Sequence, residues 1–200
     1  MAQVQQEISE LEYLARERQA ESRSEFFASE IFGMAGASRN HNLITANIVA
    51  ELRNALREKP YEVYPSDMRV KVSKTGLYTY PDAVVACGEP EFEDRELDTL
   101  LNPKILVEVL SKSMAAYDLG KKFEHYRALD SVEELVFAAS ETLHVLHYRR
   151  RAGDGSSWIL SETRDRSFQI KLASIGVTLE IAEIYSKVDL NLQPAPISLH

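Results

Sequence analysis

Two apolar segments, Tyr80-Pro81-Asp82-Ala83-Val84-Val85-Ala86-Cys87-Gly88 and Ile105-Leu106-Val107-Glu108-Val109-Leu110-Ser111, each contain one carboxylate that its neighbours do not explain. Both segments are rich in aliphatic residues, so each is predicted to form a short buried strand. A carboxylate inside such a strand is costly to bury unless it is paired or holds a cation. The sequence therefore directs attention to Asp82 and Glu108 as candidate functional residues.

The alternation of side chains along a strand predicts where these carboxylates point. Glu108 shares one face with Leu106 and Leu110, and Asp82 shares a face with Val84. If the two strands are neighbours, both carboxylates can converge on one spot. Two carboxylates are the smallest protein contribution to a magnesium site that still leaves room for water and a substrate phosphate.

A helix predicted from Met114 to Leu129 separates two adjacent lysines. At about 100° per residue, Lys122 lies roughly 45° from the centre of the apolar stripe of this helix, and Lys121 lies roughly 145° away. Lys122 is therefore predicted to border the core beside the carboxylates, whereas Lys121 faces solvent. An ammonium group in that position can orient an attacking water or offset charge on a phosphate.

The order of these residues resembles the Uma-type restriction endonucleases of the PD-(D/E)XK nuclease superfamily. The resemblance rests on Pro81-Asp82, on Glu108 to Ser111, and on Asp118, Lys122 and Tyr126 at steps of four, and it covers most of the chain. The superfamily pattern places a lysine two residues after the glutamate, where this chain has Leu110. The resemblance implies that the lysine has moved to the following helix, as Lys122.

Together, pattern and resemblance predict an α+β fold with a restriction-endonuclease-like core, in which a mixed central β-sheet is flanked by helices. The expected organisation is one domain over residues 1–200, with an N-terminal helix within 1–22 and a C-terminal tail at 190–200. A long helix is predicted from Asn40 to Glu58. Strands at Tyr61–Tyr64 and Met68–Val72, followed by the Asp82 strand, suggest an antiparallel meander.

Four further residues are candidate auxiliary groups. By the resemblance, Glu30 is an acidic residue near the metal, although it equally fits a solvent-facing strand position. His41 can reach the site from the first turn of its helix, although a lone histidine on an apolar face is more often a hydrogen-bonded core residue. Asp67 either supports the site or caps a turn. Asp118 either joins the site through Lys122 or forms an ordinary surface bridge with it.

The composition is that of a globular protein with an acidic balance. The chain has 23 Lys and Arg against 31 Asp and Glu, a net charge of -8, whereas nucleic-acid binders usually carry a basic field. Any DNA contact must therefore come from a local patch. Arg149-Arg150-Arg151 is one candidate, although three charges beside a glycine turn are more often a solvated hairpin end. The acidic segment Glu89–Asp98 is predicted to form an exposed loop that repels DNA.

Localisation and assembly can be predicted only in outline. No stretch is long and apolar enough to span a membrane, and the first residues lack an apolar signal segment, so a cytoplasmic location is expected. The single cysteine, Cys87, excludes an internal disulfide. Double-strand cleavage by a small nuclease is most simply done by a symmetric pair, so a homodimer is expected. The amphipathic N-terminal helix packs either on the domain or on another subunit, which makes it a candidate interface.

The leading hypothesis is a DNA endonuclease that depends on Mg²⁺ or Mn²⁺, in which Asp82 and Glu108 ligate the metal and Lys122 positions water. The first alternative is a catalytically inactive, nuclease-like module for binding or assembly. The second is structural, with Glu108 and Lys122 forming a buried ion pair and no more.

Overall fold

The computed structural model describes residues 7–112, 115–154 and 156–191. Its centre is a six-stranded sheet with the strand order β11-β10-β9-β8-β6-β3. Only the β8–β9 pair of this sheet is parallel. The strands are β3 (Tyr61–Pro65), β6 (Ala83–Cys87), β8 (Pro103–Leu110), β9 (Glu134–Ala139), β10 (Val145–Arg150) and β11 (Trp158–Thr163).

A helical segment connects the parallel strands β8 and β9. It consists of α3 (Ala115–Tyr117), a π-helical turn (Asp118–Lys122) and α4 (Phe123–Arg127). Parallel neighbours require a crossover over one face of the sheet, and a helix is the usual means. The helix predicted from Met114 to Leu129 is thus present in part, and its predicted first residue lies outside the described residues.

A second, five-stranded sheet has the order β2-β1-β5-β4-β7. Its strands are β1 (Ser24–Phe27), β2 (Glu30–Gly33), β4 (Arg69–Val72), β5 (Leu77–Thr79) and β7 (Thr99–Leu100). Helix α1 (Glu10–Glu17) covers it, and Tyr13 stacks on Phe26 with 5.0 Å between ring centroids. The prediction of one meander is wrong, because β3 pairs with β6 in the central sheet whereas β4 pairs with β5 in the second.

The remaining elements cover the other face of the central sheet. They are α2 (Arg39–Leu56), the hairpin of β12 (Gln169–Leu172) and β13 (Val177–Glu180), and α5 (Ile181–Ile184). Val107 and Val109 pack on this side with Ile44 and Ile48, whereas Leu106 and Leu110 pack with Tyr126 of α4. The predicted alternation of the β8 side chains is therefore correct, and the fold is the predicted α+β arrangement of a mixed sheet flanked by helices.

The segment between β6 and β8 contains the acidic stretch Glu89–Asp98, most of which is exposed, as predicted. It contributes β7 to the second sheet, and Arg18 of the N-terminal region bonds both Asp94 and Asp98 at 2.7–2.9 Å. Glu93 accepts a hydrogen bond from Lys71 at 2.6 Å. Opposite charges distant in sequence thus hold much of this segment against the protein.

The single tryptophan, Trp158, begins β11 and packs against α4. Its ring centroid lies 6.1 Å from that of Phe123, and the Arg150 guanidinium lies 4.6 Å from the ring. Arg150 also donates hydrogen bonds to the carbonyls of Leu129 and Val132, each at 2.8 Å. These contacts fix the end of α4 on the sheet. Within the described ranges, no helix has the length and apolar character needed to cross a membrane.

Candidate active site

Asp82 and Glu108 lie opposite each other at one end of the central sheet. Strands β6 and β8 are antiparallel neighbours, with Ala83 opposite Val107 and Val84 opposite Leu106. Continued by one residue, this register places Asp82 opposite Glu108. Like charges in that relation repel unless something compensates them. The sequence-based expectation that the two strands are neighbours is therefore met.

Backbone and helix α2 hold the Asp82 carboxylate. Its Oδ2 accepts a hydrogen bond from the backbone N–H of Val109 at 2.7 Å, which ties it to the residue after Glu108. His41 Nε2 lies 3.3 Å from the same oxygen, and the Thr45 hydroxyl lies 3.4 Å from Oδ1. His41 therefore lies beside Asp82 in the first turn of α2, and its role as an auxiliary residue stays a prediction.

Helix α4 and the π-helical turn hold the Glu108 carboxylate. Its Oε1 accepts hydrogen bonds from the Tyr126 hydroxyl at 2.5 Å and from Lys122 Nζ at 3.2 Å. Burial raises the pKa of Glu108 to about 8; the Lys122 ammonium opposes this shift, and the carboxylates of Asp82 and Asp118 add to it. Glu108 is thus a carboxyl group whose ionised form is disfavoured until a cation accompanies it.

Lys122 is the cation at the centre of the cluster. Its Nζ lies 2.9 Å from Glu25, 3.2 Å from Glu108 and 3.7 Å from Asp118. Burial disfavours the ammonium, but the surrounding carboxylates outweigh this effect and hold the pKa of Lys122 well above its usual value. Lys121 is exposed. The helical phase predicted from sequence therefore assigns the two lysines correctly.

Asp118 is buried in the π-helical turn, one turn before Lys122. Burial raises the pKa of its carboxyl group, Lys122 opposes the rise, and Glu25 and Asp82 add to it. A π-helical turn is rare and is frequent at functional sites. Asp118 thus belongs to the buried cluster, and the surface-bridge interpretation is wrong.

Glu25 is the acidic residue that the sequence analysis missed. It lies buried in β1, within 2.9 Å of Lys122, and its Oε1 also accepts a hydrogen bond from the buried Thr79 hydroxyl at 2.5 Å. Because β1 and β5 belong to the second sheet, Glu25 and Thr79 join that sheet to the site. Glu25 could not be singled out from sequence, since a glutamate in a four-residue strand carries no distinguishing pattern.

Glu30 and Asp67 do not contact this cluster. Glu30 is exposed at the start of the edge strand β2, opposite Phe27. Asp67 lies in an exposed turn, and its carboxylate is 3.4 Å from Arg23 Nε. The alternatives weighed from sequence, a solvent-facing strand residue for Glu30 and a turn residue for Asp67, therefore describe their positions.

The cluster brings the carboxyl groups of Glu25, Glu108 and Asp118 around the ammonium of Lys122, and the Asp82 carboxylate acts on Glu108 and Asp118 from beside them. This excess of negative charge in a buried place fits a divalent cation. In residues 7–112, 115–154 and 156–191, no three or more His, Cys, Asp or Glu side chains are arranged to hold a metal ion. Asp82 and Glu108 suit an ion such as Mg²⁺, which takes one or two carboxylates and completes its shell with water and substrate.

Comparisons with known proteins agree with this fold. The sequence model of the Uma2 family, described as "Putative restriction endonuclease", matches residues 10–182. The chain is 36% identical over 170 residues to the uncharacterized protein sll1609 of Synechocystis sp., which covers 85% of this chain and 95% of that protein. It is 29% identical over 178 residues to the uncharacterized protein slr1290 of the same organism, at 89% and 91% coverage.

A solved structure shows the same architecture. The crystal structure of "a putative nuclease belonging to DUF820" from Anabaena variabilis aligns with a TM-score of 0.69 at 16% identity, and covers 88% of this chain and 97% of that one. At this identity the likeness shows the fold, and the match to the family model shows the ancestry. The chain therefore belongs to the Uma2 family, whose members are described as putative restriction endonucleases.

Proposed function

We propose that this protein is a metal-dependent DNA endonuclease, with Asp82, Glu108 and Lys122 as its catalytic residues, formed by one restriction-endonuclease-like domain. The observation that carries the proposal is the hydrogen bond from the Val109 N–H to Asp82 at 2.7 Å, which holds this carboxylate beside Glu108, with Lys122 Nζ 3.2 Å from the latter. The description of the family and the word nuclease used for the Anabaena protein point to the same chemistry.

Each residue has a role that follows from its contacts. Asp82 and Glu108 would hold Mg²⁺ or Mn²⁺. Such an ion, when bound, activates a water and neutralises charge on the phosphate and the leaving oxygen. The Val109 N–H orients Asp82, and Tyr126 orients Glu108. Lys122 is held by Glu25 and stays protonated, so its ammonium can orient the attacking water and offset charge on the pentavalent phosphate.

Cleavage of supercoiled plasmid tests the proposal. The wild-type protein should nick or linearise the plasmid with Mg²⁺ or Mn²⁺ and should leave it intact in chelator. Asp82→Asn and Lys122→Met should each abolish cleavage, whereas Lys121→Met, the matched exposed control, should retain it. Absence of wild-type cleavage with either ion, or equal cleavage by Lys121→Met and Lys122→Met, would contradict the assignment.

The contacts of Glu108 favour one alternative, an inactive module in which Lys122 itself neutralises the carboxylate. Calorimetry with Mn²⁺ separates the two. The affinity for Mn²⁺ should be lost in the Asp82→Asn/Glu108→Leu double variant, because this variant lacks both proposed ligands. An unchanged affinity would rule out the metal site. A titration of a short duplex in chelator, in Ca²⁺ and in Mg²⁺ adds a second criterion. The nuclease requires tighter binding with divalent ions, and the inactive module requires the same affinity in all three.

A further inference from the structure

A groove lies on the face of the central sheet that is opposite to Glu108. Glu108 is paired with Phe137 of β9, whereas His147 and Arg149 of β10 are paired with Val136 and Glu134. Paired residues share a face, and neighbouring positions on a strand point to opposite faces. Val136 and Glu134 therefore point away from the Glu108 face, and so do their partners His147 and Arg149. The groove runs between this face at β10–β11 and the strand β12.

The groove carries more positive than negative charge. The groove has two adjoining parts: Arg149 is among the residues that line both, Lys171 lines one, and Arg150 and Arg151 line the other. The acidic residues at its walls are Glu162 and Glu133, which are bonded to Arg164 and Lys104. Arg149, Arg151 and Lys171 form no ion pair with any part of the chain that the structure describes. This is a local positive surface on a protein of net charge -8.

The three consecutive arginines have different tasks. Arg150 is engaged with the carbonyls at the end of α4 and with the Trp158 ring, so it serves the fold. Arg149 and Arg151 are exposed. The sequence left open whether this triplet is a DNA patch or a solvated hairpin end, and the structure separates one structural arginine from two available ones.

Apolar surface accompanies these charges. Phe168 and Ile159 line the groove and are 45% and 38% exposed. His147, which lines the groove, contacts the buried carboxylate of Glu134 through Nε2 at 2.5 Å, and the backbone N–H of Ser174 donates to the same side chain at 2.6 Å. A groove that combines unpaired cations with exposed apolar and aromatic surface matches the chemistry of a polynucleotide strand, which presents phosphates beside sugars and bases.

We propose that this groove is a second nucleic-acid-binding site, at which Arg149 and Lys171 contact phosphates of a DNA strand. It is separate from the candidate active site. Arg149 lies two strands from β8 on the opposite face, and its register partners are three residues along the strand from Glu108, so the two sites are on the order of 15–20 Å apart. The proposal does not depend on Asp82, Glu108 or Lys122.

Binding of labelled DNA in chelator tests the proposal without any contribution from cleavage. Fluorescence anisotropy at a series of salt concentrations starting at about 50 mM gives the slope of log K against log salt, to which each phosphate contact contributes about 0.9. The Arg149→Gln/Lys171→Gln variant should reduce the magnitude of this slope by about 1.8 and weaken binding at low salt by roughly tenfold or more. Short duplex and single-stranded probes should both respond.

The matched control is Arg57→Gln/Arg95→Gln, which removes two exposed positive charges that lie outside the groove and have no ion pair within the described residues. This control should bind as the wild type does in chelator. If the double groove variant fails to fold, the single Lys171→Gln change at an exposed position should lower the slope by about 0.9.

Three results would overturn the proposal. The first is that the wild type binds neither DNA probe at low salt, and the second is that the groove and control variants give the same slope. The third is that a free mononucleotide displaces the probe at equal phosphate concentration, which would make the groove a site for small phosphate compounds. Binding that persists in a protein unable to cleave plasmid would contradict the proposed nuclease and leave this site intact.

Discussion

At the scale of single residues, the site depends on how the charge of the buried Glu108 carboxylate is compensated. Glu108 lies among aliphatic strand residues, opposite a second carboxylate, and its nearest compensating groups are Lys122 and Tyr126. Desolvation and the neighbouring acids favour its protonated form, and Lys122 favours its ionised form. A site of this kind is expected to respond to pH and to added cations more than to changes in packing.

The pH dependence of stability should reveal Glu108. Its pKa is about 8 in the folded protein, against an ordinary value of 4.5, so the folded state binds this proton more tightly than the unfolded state does. The Glu108 contribution to the free energy of unfolding should therefore fall as pH rises from about 4.5 to about 8. Urea unfolding of Glu108→Gln without metal should show a weaker decline than the wild type over that range. The exposed change Glu141→Gln should follow the wild-type curve, and identical curves for all three proteins would contradict the prediction.

The two lysines should differ in stability as well as in activity. Lys122→Met leaves Glu25, Glu108 and Asp118 without their shared cation, and removing one partner of a buried pair costs about 3–5 kcal/mol. Lys121→Met changes an exposed position and should stay within about 0.5 kcal/mol. Denaturant midpoints of the two variants measure this. A similar small effect for both would show that Lys122 is not held as described.

At the scale of elements, the segment between β8 and β9 places Lys122 and Tyr126 on one carboxylate. Its π-helical turn contains Gly120, and a Cβ built there meets no atom within 4 Å. Gly176, in the β12–β13 turn, has φ +62, a left-handed conformation that side chains rarely adopt. The two glycines therefore serve different purposes.

Substitution of these glycines by alanine should have opposite effects. Gly120→Ala should stabilise the protein by about 0.5–1 kcal/mol, because it lowers the backbone entropy of the unfolded chain without a clash. Gly176→Ala should destabilise it, because alanine is strained at positive φ. Thermal unfolding of the two variants provides the comparison. Destabilisation by Gly120→Ala would indicate that the π-helical turn needs the freedom of glycine.

The sequence predicted elements well where local pattern decides them. The apolar runs of β6 and β8, the long stripe of α2 and the phase of Lys122 all depend on neighbouring residues. Glu25 could not be predicted as a site residue, because its partner Lys122 lies 97 positions later. The contact also requires the second sheet, which contains Glu25, to meet the helical crossover of the central sheet, which contains Lys122. For the same reason the ion pairs of the acidic segment could not be predicted, since its partner Arg18 lies 76 and 80 residues away.

At the scale of the whole molecule, two sheets meet at the candidate site. The central sheet provides Asp82 and Glu108, and the second sheet provides Glu25 through β1.

The buried face of α1 packs its Tyr13 and Leu14 on the second sheet of its own chain, and this leaves Leu11, at 80% exposure, on the outside. The edge strand β2 and its extension expose Ile31, Phe32 and Met34.

The homodimer remains a prediction, and the structure makes it more specific. Exposed apolar residues on an edge strand are a ready surface for pairing with a second chain. Light scattering should give a mass of about twice 22.6 kDa, and Phe32→Lys should return it to the monomer value. Leu11→Lys is the comparison, because loss of the dimer in this variant alone would assign the interface to α1, the candidate interface from sequence. A wild-type monomer at micromolar concentration would contradict the dimer.

The position of the single tryptophan has a practical consequence. Trp158 touches Phe123, the first residue of α4, and α4 also carries Tyr126, so its emission reports whether this helix is docked on the sheet. An indole that becomes solvated emits at longer wavelength, and no label is needed to observe the shift. Each variant of the candidate site can thus be examined in the same cuvette for the seating of α4 before its chemistry is measured. A variant that keeps the native emission and loses cleavage has lost a reacting group. A variant with a red-shifted emission has lost the docking of α4 on the sheet.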